Sequence, residues 1–79
     1  MFTVYIIKSQ ITGRYYIGYT NNLRRRVREH NAGKNVSTRA GKPWKLVYSE
    51  VFNSKADAWG RERQIKLFKG GEAFKKLVK

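Results

Sequence analysis

Cysteine is missing altogether and histidine occurs once in this chain of 79 residues. Disulfide staples are thereby excluded, and so is a structural zinc site, which needs several ligands of those two types. No apolar run approaches the roughly 20 residues that span a bilayer, and no signal-peptide core is followed by small residues. A soluble protein in a reducing, cytoplasmic setting is expected, with no membrane partner. Acidic residues are also scarce, five against 18 Lys and Arg, for a net charge of +13. That imbalance makes a polyanion the natural partner.

At this length only about 60 % of the unfolded surface can be buried, so one domain over residues 1–79 is expected. Hydrophobic residues make up 41 % and charged residues 29 %, enough apolar surface for a folded core despite the charge. The cations are interleaved with Tyr15, Tyr16, Tyr19, Trp44 and Phe68, as suits a surface that neutralises phosphates and stacks on bases.

Residues 2–8, FTVYIIK, and 14–19, RYYIGY, are rich in β-branched and aromatic side chains and flank SQITG, which predicts a β-hairpin. Thr20 and Asn21 are N-cap candidates for a first helix of about ten residues, stopped by Asn31-Ala32-Gly33. Residues 33–44 have no periodicity and form a long basic loop. KLVYSEVF, 45–52, is a third strand. Ser54-Lys55-Ala56-Asp57 opens a second helix to about Phe68, Gly70-Gly71 breaks it, and 72–78 form a short basic helix. The order ββαβαα predicts an α+β fold with a three-stranded antiparallel sheet flanked by helices.

Strand alternation puts Tyr16 and Gly18 on one face, and the hairpin makes Tyr5 a candidate cross-strand neighbour of Tyr16. Two phenols beside a glycine make a polar niche that another backbone could approach, although tyrosines favour strands for structural reasons too. On the first helix Arg26 and His30 share a face, about 80° and about 40° from the centre of the Leu23/Val27 stripe, at the border of the core. A histidine there is ordinarily a packing residue. Arg24, Arg25 and Arg28 point elsewhere as phosphate-tracking charges, and Arg25 can pair with Glu29 one turn on. Of the acids, Asp57 serves as a cap, Glu29 is taken by its helical neighbour and Glu72 opens the last helix. Glu50 and Glu62 remain. Glu62 borders the buried face of the second helix, where it either pairs with a neighbouring cation or holds Mg²⁺, which is content with one or two carboxylates, waters and phosphate oxygens.

These residues together resemble the GIY-YIG nuclease superfamily, in particular its small stand-alone members, over essentially the whole chain. Thr3-Val4-Tyr5 stands at the first signature tripeptide and Tyr16-Ile17-Gly18 matches the second verbatim, with ten residues between the two tyrosines. Arg26 and His30 fall at the family's spacing, and Glu62 of the Arg61-Glu62 pair at its metal-ligand position. Thr3 replaces the family glycine, where only the tyrosine takes part in chemistry.

The resemblance implies a Mg²⁺- or Mn²⁺-dependent endonuclease that attacks a phosphodiester in line with water and leaves 5′-phosphates. Tyr5 would activate the water with His30 as proton acceptor or alternative base. Tyr16 would assist, Arg26 would stabilise the pentavalent phosphate, Glu62 would hold the metal, and Gly18 would admit the scissile phosphate. Arg24, Arg25, Arg28, Lys34, Arg39, Lys42, Trp44, Lys45 and Lys66 would contact nucleic acid, DNA in preference to RNA. The loop 34–45 would carry any preference for branched, damaged or single-stranded DNA, as in repair or recombination, and binding would associate the protein with the nucleoid. Trp44 could stack on an unpaired base or pack beneath the loop. The competing reading is a non-catalytic DNA- or RNA-binding module of the same fold.

Overall fold

A computed structural model describes residues 1–78. Strand β1, Phe2–Ser9, lies at the centre of a three-stranded sheet because both its faces are apolar: Val4 to Ile7 are four consecutive buried residues. β2, Tyr15–Thr20, and β3, Trp44–Phe52, flank it in the order β2-β1-β3, and both pairings are antiparallel. The helices are α1, Leu23–Asn31, α2, Lys55–Phe68, and α3, Glu72–Val78. The chain is therefore the expected α+β domain with element order ββαβαα. Among the described residues no helix is long and apolar enough to cross a membrane.

The β1–β2 hairpin is closed by Ser9, whose Oγ accepts from the Ile11 and Thr12 amides at 3.2 and 3.0 Å, and by Gly13 at φ 75°. This turn sets the register: Tyr5 stands opposite Gly18, and Tyr16 opposite Ile7. Tyr5 and Tyr16 are thus diagonal neighbours on one face rather than a directly opposed pair. The sequence leaves that offset open because it depends on which residues form the loop.

The pleat sorts the core onto two faces. Val4, Ile6 and Ile17 pack with Ala58 and Ile65 of α2 and Phe74 of α3. Tyr5, Ile7 and Trp44 form the other cluster, joined by Tyr16 and by Leu23 and Val27 of α1. Each fully buried aliphatic side chain contributes about 1.5–3 kcal/mol, so the few here leave little surplus over chain entropy.

Helix α1 starts later than Thr20 or Asn21. Thr20 is still paired with Thr3 in the sheet, and the cap is Asn22, whose side chain accepts from the Arg25 amide at 3.1 Å. Gly33, at φ 76°, follows the helix end. Ser54 caps α2 as expected by accepting from the Asp57 amide at 3.1 Å. The basic loop is not wholly irregular: Arg39–Gly41 make one 3-10 turn, and Ser9 Oγ donates to the Gly41 carbonyl at 2.6 Å.

Candidate active site

The α1 face of the sheet brings together Tyr5, Tyr16 and His30. Tyr5 projects from the central strand, only 1 % exposed, and its hydroxyl lies 2.8 Å from Nε2 of His30. His30 sits in the last turn of α1 and is completely buried, with Nδ1 2.8 Å from Oγ1 of Thr38 in the basic loop. Tyr16 completes the cluster: its ring centroid is 4.9 Å from that of His30 and 6.3 Å from that of Tyr5. Unlike Tyr5, Tyr16 is partly exposed.

Gly18 supports this cluster in a specific way. A Cβ there would stand 2.8 Å from the Tyr5 hydroxyl oxygen and 3.2 Å from Cε2 of Tyr16. The space a side chain would fill is used by the Tyr5 phenol itself, so the glycine first admits Tyr5.

Burial sets the protonation states. Tyr5 is pushed up to about 12 by desolvation, which the neighbouring Arg26 cation partly offsets. His30 is pushed down to about 4, first by desolvation and then by the Arg26 charge, with Glu29 opposing. Near neutral pH the site therefore holds a phenol and a neutral imidazole.

Arg26, partly exposed beside Tyr5, donates through a terminal guanidinium N–H to Oε1 of Glu29 at 3.0 Å. The pairing expected for Glu29 was with Arg25, which does approach it but at 3.8 Å. The closer partner is the i,i+3 neighbour Arg26, and the bond holds the Glu29 carboxyl below its usual range. Glu50 is engaged within the sheet and α2: it accepts from the Tyr48 hydroxyl at 2.7 Å and from Arg61 Nε at 3.0 Å. Glu62 is different. Its side chain is 13 % exposed, its ion pair is a 3.5 Å contact to the exposed Lys66, and its charge reaches the Tyr5 phenol, helping to raise it. No cluster of three or more His, Cys, Asp or Glu occurs among the described residues, so a metal here would rely on Glu62, waters and a ligand's own oxygens.

The cations expected to meet phosphates, Arg24, Arg25, Arg28, Lys34, Arg39, Lys42, Lys45 and Lys66, are all exposed. Trp44 is not. It is 9 % exposed, its Nε1 donates to the Thr38 carbonyl at 2.8 Å, and its indole lies against Gly41, where a Cβ would meet it at 2.5 Å. Of the two roles open to Trp44, the structure displays packing beneath the loop; its ring is not presented to a base. Asn31 brackets the Trp44 backbone, donating from Nδ2 to its carbonyl at 3.1 Å and accepting from its amide.

Asn31 and Thr38 carry no pattern that marks them in the sequence. The only signal is indirect: a buried imidazole must find partners for both nitrogens, and the hydroxyls of the adjoining loop are the nearest candidates.

The class this defines is a three-stranded α+β domain whose central strand β1 and edge strand β2 present a tyrosine pair to the arginine–histidine face of α1. The model of the GIY-YIG catalytic domain matches residues 1–71, and the chain belongs to that family, whose members are in general nucleases. It is 41 % identical over 75 residues to a UPF0213 protein of Staphylococcus haemolyticus, covering 94 % of this chain and 90 % of that one. A UPF0213 protein of Halobacterium salinarum is 46 % identical over 67 residues, covering 84 % and 86 %. The solution NMR structure of a UPF0213 protein from Bacillus halodurans superposes with a TM-score of 0.61 at 34 % identity, over 99 % of this chain and 83 % of that one.

Proposed function

We propose that this chain is a metal-dependent endonuclease that hydrolyses phosphodiester bonds in nucleic acid, DNA in preference to RNA. The observation that carries the reading is the hydrogen bond between Tyr5 and His30 beside the Arg26 cation, on a face rimmed by exposed arginines and lysines.

In the free protein neither member of the Tyr5–His30 pair is a strong base, since burial and Arg26 hold the imidazole neutral and burial holds the phenol protonated. A bound phosphate changes this balance. Its negative charge offsets the Arg26 cation at His30, so the imidazole gains proton affinity only when substrate is present. The proton of the attacking water passes through Tyr5 to Nε2 of His30, and the partly exposed Tyr16 helps to orient the water. Arg26 turns from Glu29 to the phosphate and stabilises the charge that builds on the pentavalent centre.

Glu62 suits Mg²⁺ or Mn²⁺, being a carboxylate whose one ion-pair partner among the described residues is an exposed lysine side chain that a divalent cation can displace. When bound, such a metal supplies Lewis-acid stabilisation of the departing 3′-oxygen. Branched, damaged or single-stranded DNA, as met in repair and recombination, is the substrate class we favour. The exposed loop cations grip backbone phosphates without reading bases.

The test is incubation with single-stranded, duplex and branched DNA and with RNA, in Mg²⁺, Mn²⁺ or EDTA. Metal-dependent cleavage giving 5′-phosphates is expected, reduced on the order of 10²-fold or more in Tyr5→Phe and in Glu62→Ala. Cleavage that persists unchanged in both variants overturns the mechanism. Binding with no scission under any metal favours a non-catalytic module.

A further inference from the structure

His30 has one proton to place on two nitrogens, and both nitrogens are occupied. Nε2 faces the Tyr5 hydroxyl and Nδ1 faces the Thr38 hydroxyl, each at 2.8 Å. The pair can be arranged in two ways. In one, Nδ1–H donates to Thr38 and Nε2 accepts the Tyr5 proton. In the other, Thr38 donates to Nδ1 and Nε2–H points at the phenol oxygen, which makes Nε2 useless as an acceptor. The choice turns on where the hydroxyl protons of Thr38 and Tyr5 go.

The surroundings of Thr38 favour the first arrangement. Its hydroxyl has a second acceptor within reach, the Asn35 carbonyl at 3.4 Å, to which its own amide also donates at 3.2 Å. With the hydroxyl proton on Asn35, Thr38 is left with lone pairs toward Nδ1. Thr38 is 1 % exposed, so bulk solvent does not compete for its hydroxyl. Its backbone is fixed as well: its carbonyl accepts from Trp44 Nε1 at 2.8 Å and from the Gly41 amide at 3.1 Å.

We propose that Thr38 is a positioning residue that holds His30 as the Nδ1–H tautomer, leaving the Nε2 lone pair for the proton of Tyr5. The catalytic part of this assignment rests on the nuclease reading above; the tautomer does not. It also gives the buried Trp44 a task, since the indole anchors the loop segment that carries Thr38. Arg39 follows Thr38 directly, with its Nε on the Gly33 carbonyl at 2.9 Å. The loop that meets phosphates is thus the same loop that sets the base.

His30 is the only histidine of the chain, so its ring signals need no assignment. The experiment is ¹⁵N–¹H correlation of imidazole-labelled full-length protein near neutral pH, in wild type, Thr38→Val and Thr38→Ser. Wild type and Thr38→Ser are expected to show a pyrrole-type Nδ1 and a pyridine-type Nε2. Thr38→Val, nearly the same in shape but without the hydroxyl, is expected to move the proton to Nε2 in part or in full. On nucleic acid, Thr38→Val is expected to lower kcat on the order of 10²-fold with KM little changed, and Thr38→Ser to restore it. A wild-type proton on Nε2 overturns the proposal, whatever Thr38→Val does to the fold. So does a Thr38→Val spectrum identical to wild type. If wild type cuts nothing while the tautomer responds as expected, the nuclease reading fails and the positioning of His30 by Thr38 stands.

Discussion

Gly18 and Tyr5 face each other across the β1–β2 ladder, and a methyl group on Gly18 would stand 2.8 Å from the Tyr5 hydroxyl oxygen and 3.0 Å from its Cζ. The phenol cannot yield easily, because its oxygen is bonded to His30 and its ring is buried. Gly18→Ala is therefore expected to destabilise the domain by about 1–3 kcal/mol and to abolish cleavage by pushing Tyr5 off Nε2. Denaturant unfolding and a cleavage assay check this together. An alanine variant with wild-type stability and activity would show that Tyr5 relaxes freely.

The burial of His30 sets a pH dependence of stability. Its folded value of about 4 lies below the ordinary 6.5, so the unfolded chain binds more protons between these two values. Stability conferred by a neutral His30 is complete above pH 6.5 and is lost as pH falls toward 4, by as much as about 3 kcal/mol. The lowered carboxyls of Glu29 and Glu50 add losses at lower pH. Proton NMR titration of the one imidazole is expected to give a midpoint near 4, and a midpoint at or above 6.5 refutes the assignment. In His30→Gln the slope of unfolding free energy against pH should flatten across that window.

The strands and helices were legible because alternation and helical spacing are local, and the two tyrosines, Arg26 and His30 reach one cluster because each lies on a regular element. What the sequence left open depends on contacts between elements or on near-equal local choices. The register of Tyr5 against Gly18 follows from the turn that Ser9 organises, and two residues of slip separate it from direct opposition of the tyrosines. Glu29 has arginines three and four residues before it, and spacing alone does not choose Arg26. Thr38 meets His30 across a loop with no periodicity. Thr20 offers a cap by residue type, yet the sheet keeps it and passes the task to Asn22.

The Arg26–Glu29 bond holds an arginine that the proposed reaction needs at the phosphate. Glu29→Gln removes the competing charge while keeping a polar side chain of the same size. Nucleic-acid affinity is expected to rise severalfold in Glu29→Gln, with the slope of log affinity against log salt steeper by about 1 as one more cation is engaged. Arg26→Gln should show the reverse and lose cleavage. Affinity unchanged in Glu29→Gln would mean that Arg26 does not leave its partner when substrate binds.

Trp44 and Trp59 are the two tryptophans, and they occupy opposite environments: Trp44 is 9 % exposed and bonded to Thr38, while Trp59 is 47 % exposed with the Arg63 guanidinium 4.8 Å from its ring. Trp59→Phe leaves Trp44 as the only tryptophan, which long-wavelength excitation selects over the tyrosines. Its fluorescence is expected to be blue-shifted, poorly quenched by iodide and unaltered by saturating single-stranded DNA, since the indole is sealed against Gly41. Strong quenching by single strands would mean that the loop opens and that Trp44 stacks on a base, a contact worth about 1–3 kcal/mol. Opening would also pull Thr38 from His30, so the same titration followed at the imidazole should then show the tautomer change as DNA binds. Silence in both signals fixes the loop as a rigid wall of the site, with phosphate contacts made by its exposed cations alone.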